Sequence, residues 1–185
     1  MQARGRPMAE QSQIRELVEK MTAERGKLLA ALESLSEEAV SRPLKPDDWT
    51  PKQQMSHLCE METAYRAWVE CALEQDGANV DGVRGQRPAI PLEEADRHPL
   101  AKHVAEMRRQ RQQTMDVIAA MRPPDFERTA TNALFGTLTV MQWLRSYYRH
   151  DRMHNDQVRG AEPSYKPQFL SGSEPDQRRP DGRIG

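Results

Sequence analysis

The spacing of apolar residues limits the fold of this chain more than any other feature of the sequence. Four segments place apolar side chains three and four positions apart, which is the period of one face of an α-helix. They span about 9–35, 51–75, 99–121 and 139–160. We find no useful run that alternates apolar and polar residues, the pattern of a half-buried strand. The sequence therefore predicts an all-α protein built from four amphipathic helices.

Two of the four helices begin with a clear capping signal. Thr50 is followed by Pro51 at the first helical position and by Gln53 at the third, which together form a capping box with a favoured proline. Thr139 and Gln142 repeat the box at the start of the last helix. Charged residues four apart mark the predicted solvent face of the second helix: Glu62, Arg66, Glu70 and Glu74.

The segments outside the helices are rich in glycine and proline. Residues 76–97 hold three glycines and two prolines, which predicts a long connection rather than strands. Beyond Gly160, residues 161–185 mix prolines with charges and offer little apolar surface, so we expect an extended or disordered tail. The chain thus divides into a flexible N-terminus at 1–8, a bundle at 9–160 and this tail.

Composition excludes several classes of protein. The 27 basic and 28 acidic residues leave a net charge of -1, which argues against a general nucleic-acid binder. We see no signal peptide, and no stretch approaches the roughly 20 apolar residues that span a membrane. Cys59 and Cys71 lie about 18 Å apart on one helix, too far to form a disulfide there. We expect a soluble cytoplasmic protein with reduced thiols.

Three histidines fall on the inward stripes of two helices. His150 and His154 are four residues apart on the fourth helix, so both imidazoles lie on one side and can converge on one metal ion. His57 occupies the inward stripe of the second helix. Three neutral imidazoles suit Zn, Ni, Fe or Cu. Three protein ligands leave one coordination position open, as in catalytic metal sites.

A simpler interpretation stands beside this one. A single inward histidine is more often a hydrogen-bonded core residue, and an HxxxH pair arises by chance in charged helices. Three buried rings without partners would each cost about 1–3 kcal/mol, whereas one shared ion would satisfy all three. For His98 and His103, at the start of the third helix, the sequence favours a cap region and a solvated face.

Three segments carry a resemblance to a known family. Residues 49–58 look like the family's WSxxxxxxHL motif at its second helix, and residues 136–140 resemble its Gly-then-Thr lead into the last helix. Residues 150–158 are similar to its HDxxHxxQI motif. With the helix order, the similarity covers about 14–160 and identifies the chain as resembling the DinB-like family of metal-binding four-helix bundles.

This resemblance implies a topology and a ligand set. The bundle would run up-down-down-up with one long crossover, for which residues 76–97 are the natural candidate. The family's three metal ligands map onto His57, His150 and His154. Relatives include mycothiol-dependent isomerases and bacillithiol-type thiol transferases, so a low-molecular-weight thiol becomes a candidate cofactor. The resemblance also implies a homodimer.

Two interpretations of function remain open from the sequence. The first is a thiol-dependent transferase or a hydrolase that acts on a small molecule with a divalent Zn, Ni or Fe ion. Glu60 and Tyr147 are then candidates for proton transfer, and Asp151 is a candidate for supporting its neighbour His150. The second interpretation is a non-catalytic metal-binding or stress-response bundle.

Overall fold

The computed structural model describes residues 9–165 and contains the four predicted long helices. The helices, including one short additional helix, are α1 Gln11–Glu33, α2 Glu37–Val40, α3 Pro51–Glu74, α4 Leu100–Ala120 and α5 Val140–Val158. Within the described residues, no helix is both long enough and apolar enough to cross a membrane. The predicted flexible N-terminus and residues 166–185 of the predicted tail lie outside the described residues.

Both predicted capping boxes form, and they begin the two helices that carry the inward histidines. The Thr50 hydroxyl accepts the backbone N–H of Gln53 at 3.1 Å, and the Gln53 side chain accepts the N–H of Thr50 at 3.0 Å. Thr139 and Gln142 make the same pair of bonds at 3.2 and 2.8 Å. These bonds satisfy N–H groups that a helix start leaves unpaired.

The contacts along α1 and α5 show that these helices run in the same direction. Lys20 of α1 lies over the ring of Tyr148. Further along both helices, Arg25 bonds to Asp151 at 2.9 Å. Residue numbers therefore increase in the same direction along α1 and α5. This parallel arrangement requires the chain to cross the bundle between them.

The other long helices complete an up-down-down-up bundle. Tyr65 of α3 meets Tyr147 of α5 with ring centroids 5.5 Å apart, and Gln54 lies opposite His154. Numbers rise on α3 as they fall on α5, so these two helices are antiparallel. On α3 and α4, Glu62 contacts Arg111 and Arg66 contacts Thr114, so residue numbers increase in the same direction and these two helices are parallel. The predicted topology, with its long crossover between α3 and α4, is confirmed.

The crossover contains structure that the sequence did not predict. Ala78–Asn79 forms a short strand, β1, which pairs in parallel with β2 at Thr129–Asn132. β2 in turn pairs antiparallel with β3 at Gly136–Thr139. A 3₁₀ helix spans Leu92–Arg97. The expectation of a connection without strands was wrong, because strands of two to four residues are too short to show an alternating pattern.

The crossover also packs tightly on α3. A Cβ atom added to Gly85 would lie 2.2 Å from the backbone carbonyl of Thr63, so only glycine allows this approach. The Trp68 indole N–H donates to the Val83 carbonyl at 2.9 Å. These contacts fix the middle of the crossover against the helix that carries His57.

The apolar core consists of two clusters. One cluster is aromatic and includes Tyr65, Trp68, Phe126, Trp143 and Tyr147. The other is mainly aliphatic and includes Leu28, Leu32, Met55, Leu58, Met107 and Val158. Cys59 lies in the second cluster as a free thiol, and Cys71 is also free, as predicted.

A layer of four buried charges separates these two clusters, and each long helix contributes one of them. Arg25 of α1 bonds to Glu62 of α3 at 2.6 Å and to Asp151 of α5 at 2.9 Å. Arg111 of α4 bonds to the same two carboxylates, at 2.8 Å to Glu62 and 2.9 Å to Asp151. We call these four residues the charge layer. Its formal charge sums to zero.

The charge layer shows that one sequence prediction was wrong. Glu62 and Arg66 were placed on the solvent face of their helix, but they are 2% and 9% exposed. Burial by itself would raise the pKa of Glu62, yet Arg111 and Arg25 hold it below its ordinary value. Arg66 instead bonds to Gln110 of α4 at 2.9 Å. Because polar side chains line this part of the core, a charged residue in the sequence does not indicate a solvent-facing position here.

We predict that removing one charge from the charge layer strongly lowers the free energy of unfolding. Asp151→Asn keeps the side-chain shape but leaves Arg25 and Arg111 with a single carboxylate. Breaking a buried pair in this way costs about 3–5 kcal/mol. Chemical denaturation of the metal-free protein measures this cost. The exposed Glu70→Gln is the matched control and should change stability by less than about 0.5 kcal/mol. A loss below about 1 kcal/mol for Asp151→Asn would contradict the prediction.

Candidate metal centre

The structure brings together the three histidines that the sequence singled out. One ring nitrogen from each of His57, His150 and His154 lies within 4.8 Å of the others. The Nε2 atoms of His150 and His154 are 3.1 Å apart. The ring centroid of His57 is 5.1 Å from that of His150 and 5.5 Å from that of His154. A pair of histidines four residues apart and a third that is distant in sequence thus point at one small volume.

Helix geometry explains this convergence. His150 and His154 are one turn apart on α5, so their rings share one side of the helix. The antiparallel α3 places His57 opposite them, near the capped start of that helix. His57 and His154 are buried, while His150 keeps part of its surface accessible.

The arrangement fits a metal ion better than it fits a hydrogen-bonded core. Nε2 of His57 is buried and has no hydrogen-bond partner. Imidazole nitrogens bind Zn at about 2.0–2.1 Å, which places two ligands of a tetrahedron about 3.3 Å apart. The separation of 3.1 Å between His150 and His154 is close to that value. The His57 nitrogen lies within 4.8 Å of the other two, and an ion between the three would satisfy its unpaired nitrogen.

Burial keeps all three imidazoles neutral at pH 7. Burial and the neighbouring His150 lower the pKa of His57 well below its ordinary value. Burial lowers the pKa of His150 to about 4, and burial together with the other two histidines lowers that of His154. Neutral imidazole has a lone pair for a metal, whereas imidazolium has none. The centre can therefore accept a cation without first releasing protons from its ligands.

Two further residues, which the sequence did not single out, lie close to the histidines. The ring of Trp49 lies 4.8 Å from that of His57, and its indole nitrogen is buried without a hydrogen-bond partner. Gln54 contacts His154, with its Oε1 3.1 Å from Nδ1 of the ring. Gln54 precedes His57 by about one helical turn, and this spacing was the available signal. Both residues lie within the Trp49-to-His57 motif.

The three candidates for supporting roles occupy different environments. Asp151 is fully buried, and both arginines of the charge layer bond to it. Tyr147 donates its hydroxyl to the Glu62 carbonyl at 3.2 Å, and burial raises its pKa well above the ordinary value. Glu60 is half-buried, and burial raises its pKa as well. Among these three, Asp151 and Tyr147 already have structural partners.

The remaining histidines lie outside the centre, and one prediction about them was wrong. His103 was expected on a solvated face, but it is 2% exposed, and its Nε2 is 2.8 Å from the Ala95 carbonyl. The 3₁₀ helix at Leu92–Arg97 covers this part of α4, which the sequence did not predict. His98 is partly exposed beside Glu94.

Comparisons with known proteins agree with this architecture. A sequence model of the DinB superfamily matches residues 20–158. The uncharacterized protein YuaE from Bacillus subtilis (strain 168) is 24% identical over 140 residues, which span 69% of this chain and 86% of that protein. A solved structure of YfiT from Bacillus subtilis, described as a probable metal-dependent hydrolase with an unusual four-helix bundle topology, superposes with a TM-score of 0.69. It shares 14% identity, with 86% of this chain and 91% of that chain covered, so the likeness concerns the fold.

We predict that the histidine centre makes the metal-free protein sensitive to acid. Unfolded histidine protonates near pH 6.5, whereas the buried rings protonate only at lower pH. The unfolded state then binds more protons, so stability falls as pH decreases below about 6.5, by about 2 kcal/mol per such histidine at pH 5. For His150 the loss continues to about pH 4. Denaturation between pH 7 and 5 should show a smaller slope in His154→Gln than in the wild type.

His98→Gln serves as the matched control, since His98 is partly exposed and lies outside the centre. Its stability should follow the wild-type pH dependence. An identical slope in the wild type and in His154→Gln would show that this histidine does not resist protonation in the folded protein.

Proposed function

The chain belongs to the DinB superfamily, and we propose that it is a metal-dependent enzyme that binds one divalent transition metal ion through His57, His150 and His154. The observation that carries this proposal is the convergence of three buried imidazole nitrogens within 4.8 Å. Zn, Ni and Fe are the candidate ions, because neutral nitrogen ligands suit all three. The described fold of YfiT, with its probable metal-dependent activity, supports the proposal.

The charge around the centre indicates which fourth ligand it favours. The three imidazoles carry no charge, and the two carboxylates of the charge layer are already bonded to arginines. No ligand of the proposed set therefore offsets the ion's positive charge. Such a site prefers an anion in its open position: hydroxide, thiolate or carboxylate. When bound, the ion would act as a Lewis acid that lowers the pKa of a coordinated water or thiol.

Two reactions follow from the nature of the nucleophile. Water as the nucleophile makes the protein a hydrolase, the activity attributed to YfiT. A low-molecular-weight thiol as the nucleophile makes it a thiol-dependent transferase acting on a small molecule. In either reaction the three histidines would hold the ion, and the nucleophile would take its open position. Glu60 remains the candidate proton acceptor suggested by the sequence, and burial raises the pKa of its half-buried carboxyl group.

We predict that the wild type binds about one equivalent of metal and that His154→Gln loses it, because a chelating ligand is removed. Elemental analysis of protein purified without chelator measures the content directly. His98→Gln is the control and should retain the wild-type content. Equal metal content in the wild type and in His154→Gln, with both folded by circular dichroism, would overturn the proposed centre.

We also predict that a cobalt-substituted protein binds a small thiol at the open position. Sulfur ligation should add a charge-transfer absorption, and affinity should rise with pH until the free thiol itself ionises, because binding releases a proton. His57→Gln should abolish the new absorption. The probe is a simple monothiol titrated into the cobalt protein.

The outcome of this titration separates the two reactions. A cobalt spectrum that no thiol perturbs would exclude the transferase and leave hydrolysis as the activity to assay. A spectrum that neither thiol, hydroxide nor carboxylate perturbs would show a closed coordination shell. The proposed enzyme would then be wrong, and a non-catalytic metal-binding bundle would be the correct interpretation.

A further inference from the structure

Gln54 is placed between the backbone of its own helix start and one of the three histidines. Its Oε1 lies 3.1 Å from Nδ1 of His154, and its Nε2 lies 3.5 Å from the backbone carbonyl of Trp49. The residue is 8% exposed. The contact joins residues one hundred positions apart across the seam between α3 and α5. Gln54 thus connects the capped start of one helix to a candidate ligand on the other.

The contact with the Trp49 carbonyl, at 3.5 Å, favours one orientation of the Gln54 amide. A backbone carbonyl can only accept a hydrogen bond, so the amide NH₂ group belongs on the side of Trp49. The amide oxygen then faces His154 and can only accept. It follows that Nδ1 of His154 carries the proton and that its Nε2 has the lone pair.

The other tautomer of His154 would disable the centre. It would place a proton on Nε2, which points toward Nε2 of His150 at 3.1 Å and into the volume that a metal would occupy. A protonated ring nitrogen cannot bind a metal ion. An acceptor at Nδ1 removes this competing form before any ion arrives, as outer partners of metal-binding histidines commonly do.

We propose that Gln54 is a positioning residue that fixes His154 as the Nδ1–H tautomer and directs its Nε2 lone pair into the metal centre. This inference rests on the proposed function for its purpose, although the tautomer itself is a property of the metal-free protein. Gln54 is not one of the three proposed ligands. It acts through the ring of His154.

The choice of an amide has a consequence for the charge of the centre. A carboxylate at position 54 would accept the same hydrogen bond and add a negative charge beside the ligand set. Glutamine orients the ring while leaving the ion's charge undiminished, which agrees with the preference for an anionic fourth ligand. Gln54→Glu should therefore preserve the tautomer and bind the metal at least as tightly as the wild type.

The test reads the tautomer of His154 directly. Nitrogen NMR of the metal-free protein, labelled at histidine and held at pH 7.5, distinguishes a protonated ring nitrogen from an unprotonated one. The wild type and Gln54→Glu should show a protonated Nδ1. Gln54→Met, which matches the length of the side chain but accepts no such bond, should show a mixture of tautomers. Competition with a chelator should show zinc affinity about 10–100-fold weaker in Gln54→Met.

Two matched variants test whether the effect is specific to position 54. Gln112→Met removes an exposed glutamine on α4 and should change neither the tautomer nor the affinity. Gln157 follows His154 by three residues and lies beside its ring, although its Oε1 makes no hydrogen bond. Gln157→Met therefore tests the alternative partner of His154, and the proposal expects it to leave the tautomer unchanged. If Gln157→Met changed the tautomer of His154 and Gln54→Met did not, the role would belong to Gln157 and the inference would be overturned.

The remaining outcomes are equally decisive. A folded Gln54→Met protein that keeps a pure Nδ1–H tautomer and wild-type zinc affinity would refute the proposal. Equal weakening in Gln54→Met and Gln54→Glu, with the tautomer unchanged in both, would refute it as well, because position 54 would then act by packing alone. If the wild type binds no metal, the proposed function fails, whereas the tautomer measurement still decides the role of Gln54.

Discussion

Four buried charges, one from each long helix, determine how the helices of this protein fit together. Two arginines and two carboxylates form bonds of 2.6 to 2.9 Å in a layer between an aromatic and an aliphatic cluster. Buried pairs gain little net stability, because desolvation offsets much of their attraction. Their effect here is on register: sliding one helix by a turn, about 5.4 Å, would strand a charge in an apolar cluster.

The candidate metal centre depends on that register. Asp151 of the charge layer directly follows His150, so the bonds that fix one residue also fix the position of the other along α5. On α3, Glu62 does the same for His57, which lies less than two turns earlier. The imidazole nitrogens converge only if both helices keep this relative position. The charge layer therefore acts on the centre through helix position, while Gln54 acts on it through ring orientation.

The sequence predicted the parts of this structure that depend on local signals. Helical periodicity and two capping boxes identified the long helices, and the inward stripes identified the three histidines. Glu62 and Arg66 were misplaced because a charged residue that faces a polar layer has the same helical spacing as one that faces water. The short strands escaped prediction because two to four residues cannot show an alternating pattern, and β1 in addition pairs with a strand that is distant in sequence. Gln54 was missed because its role depends on a contact with the opposite helix.

The pairing of the buried carboxylates with arginines also bears on function. Every carboxylate of the charge layer is matched by arginines, so the interior places four charges beside the histidines and yet contributes no net charge to them. With one arginine fewer, the charge layer would carry a net negative charge and partly offset that of the ion. Arg25 and Arg111 thus keep Glu62 and Asp151 engaged within the bundle. Three neutral imidazoles and a neutral amide then remain to define the centre, and its reactivity depends on the ion and on the ligand that occupies the open position.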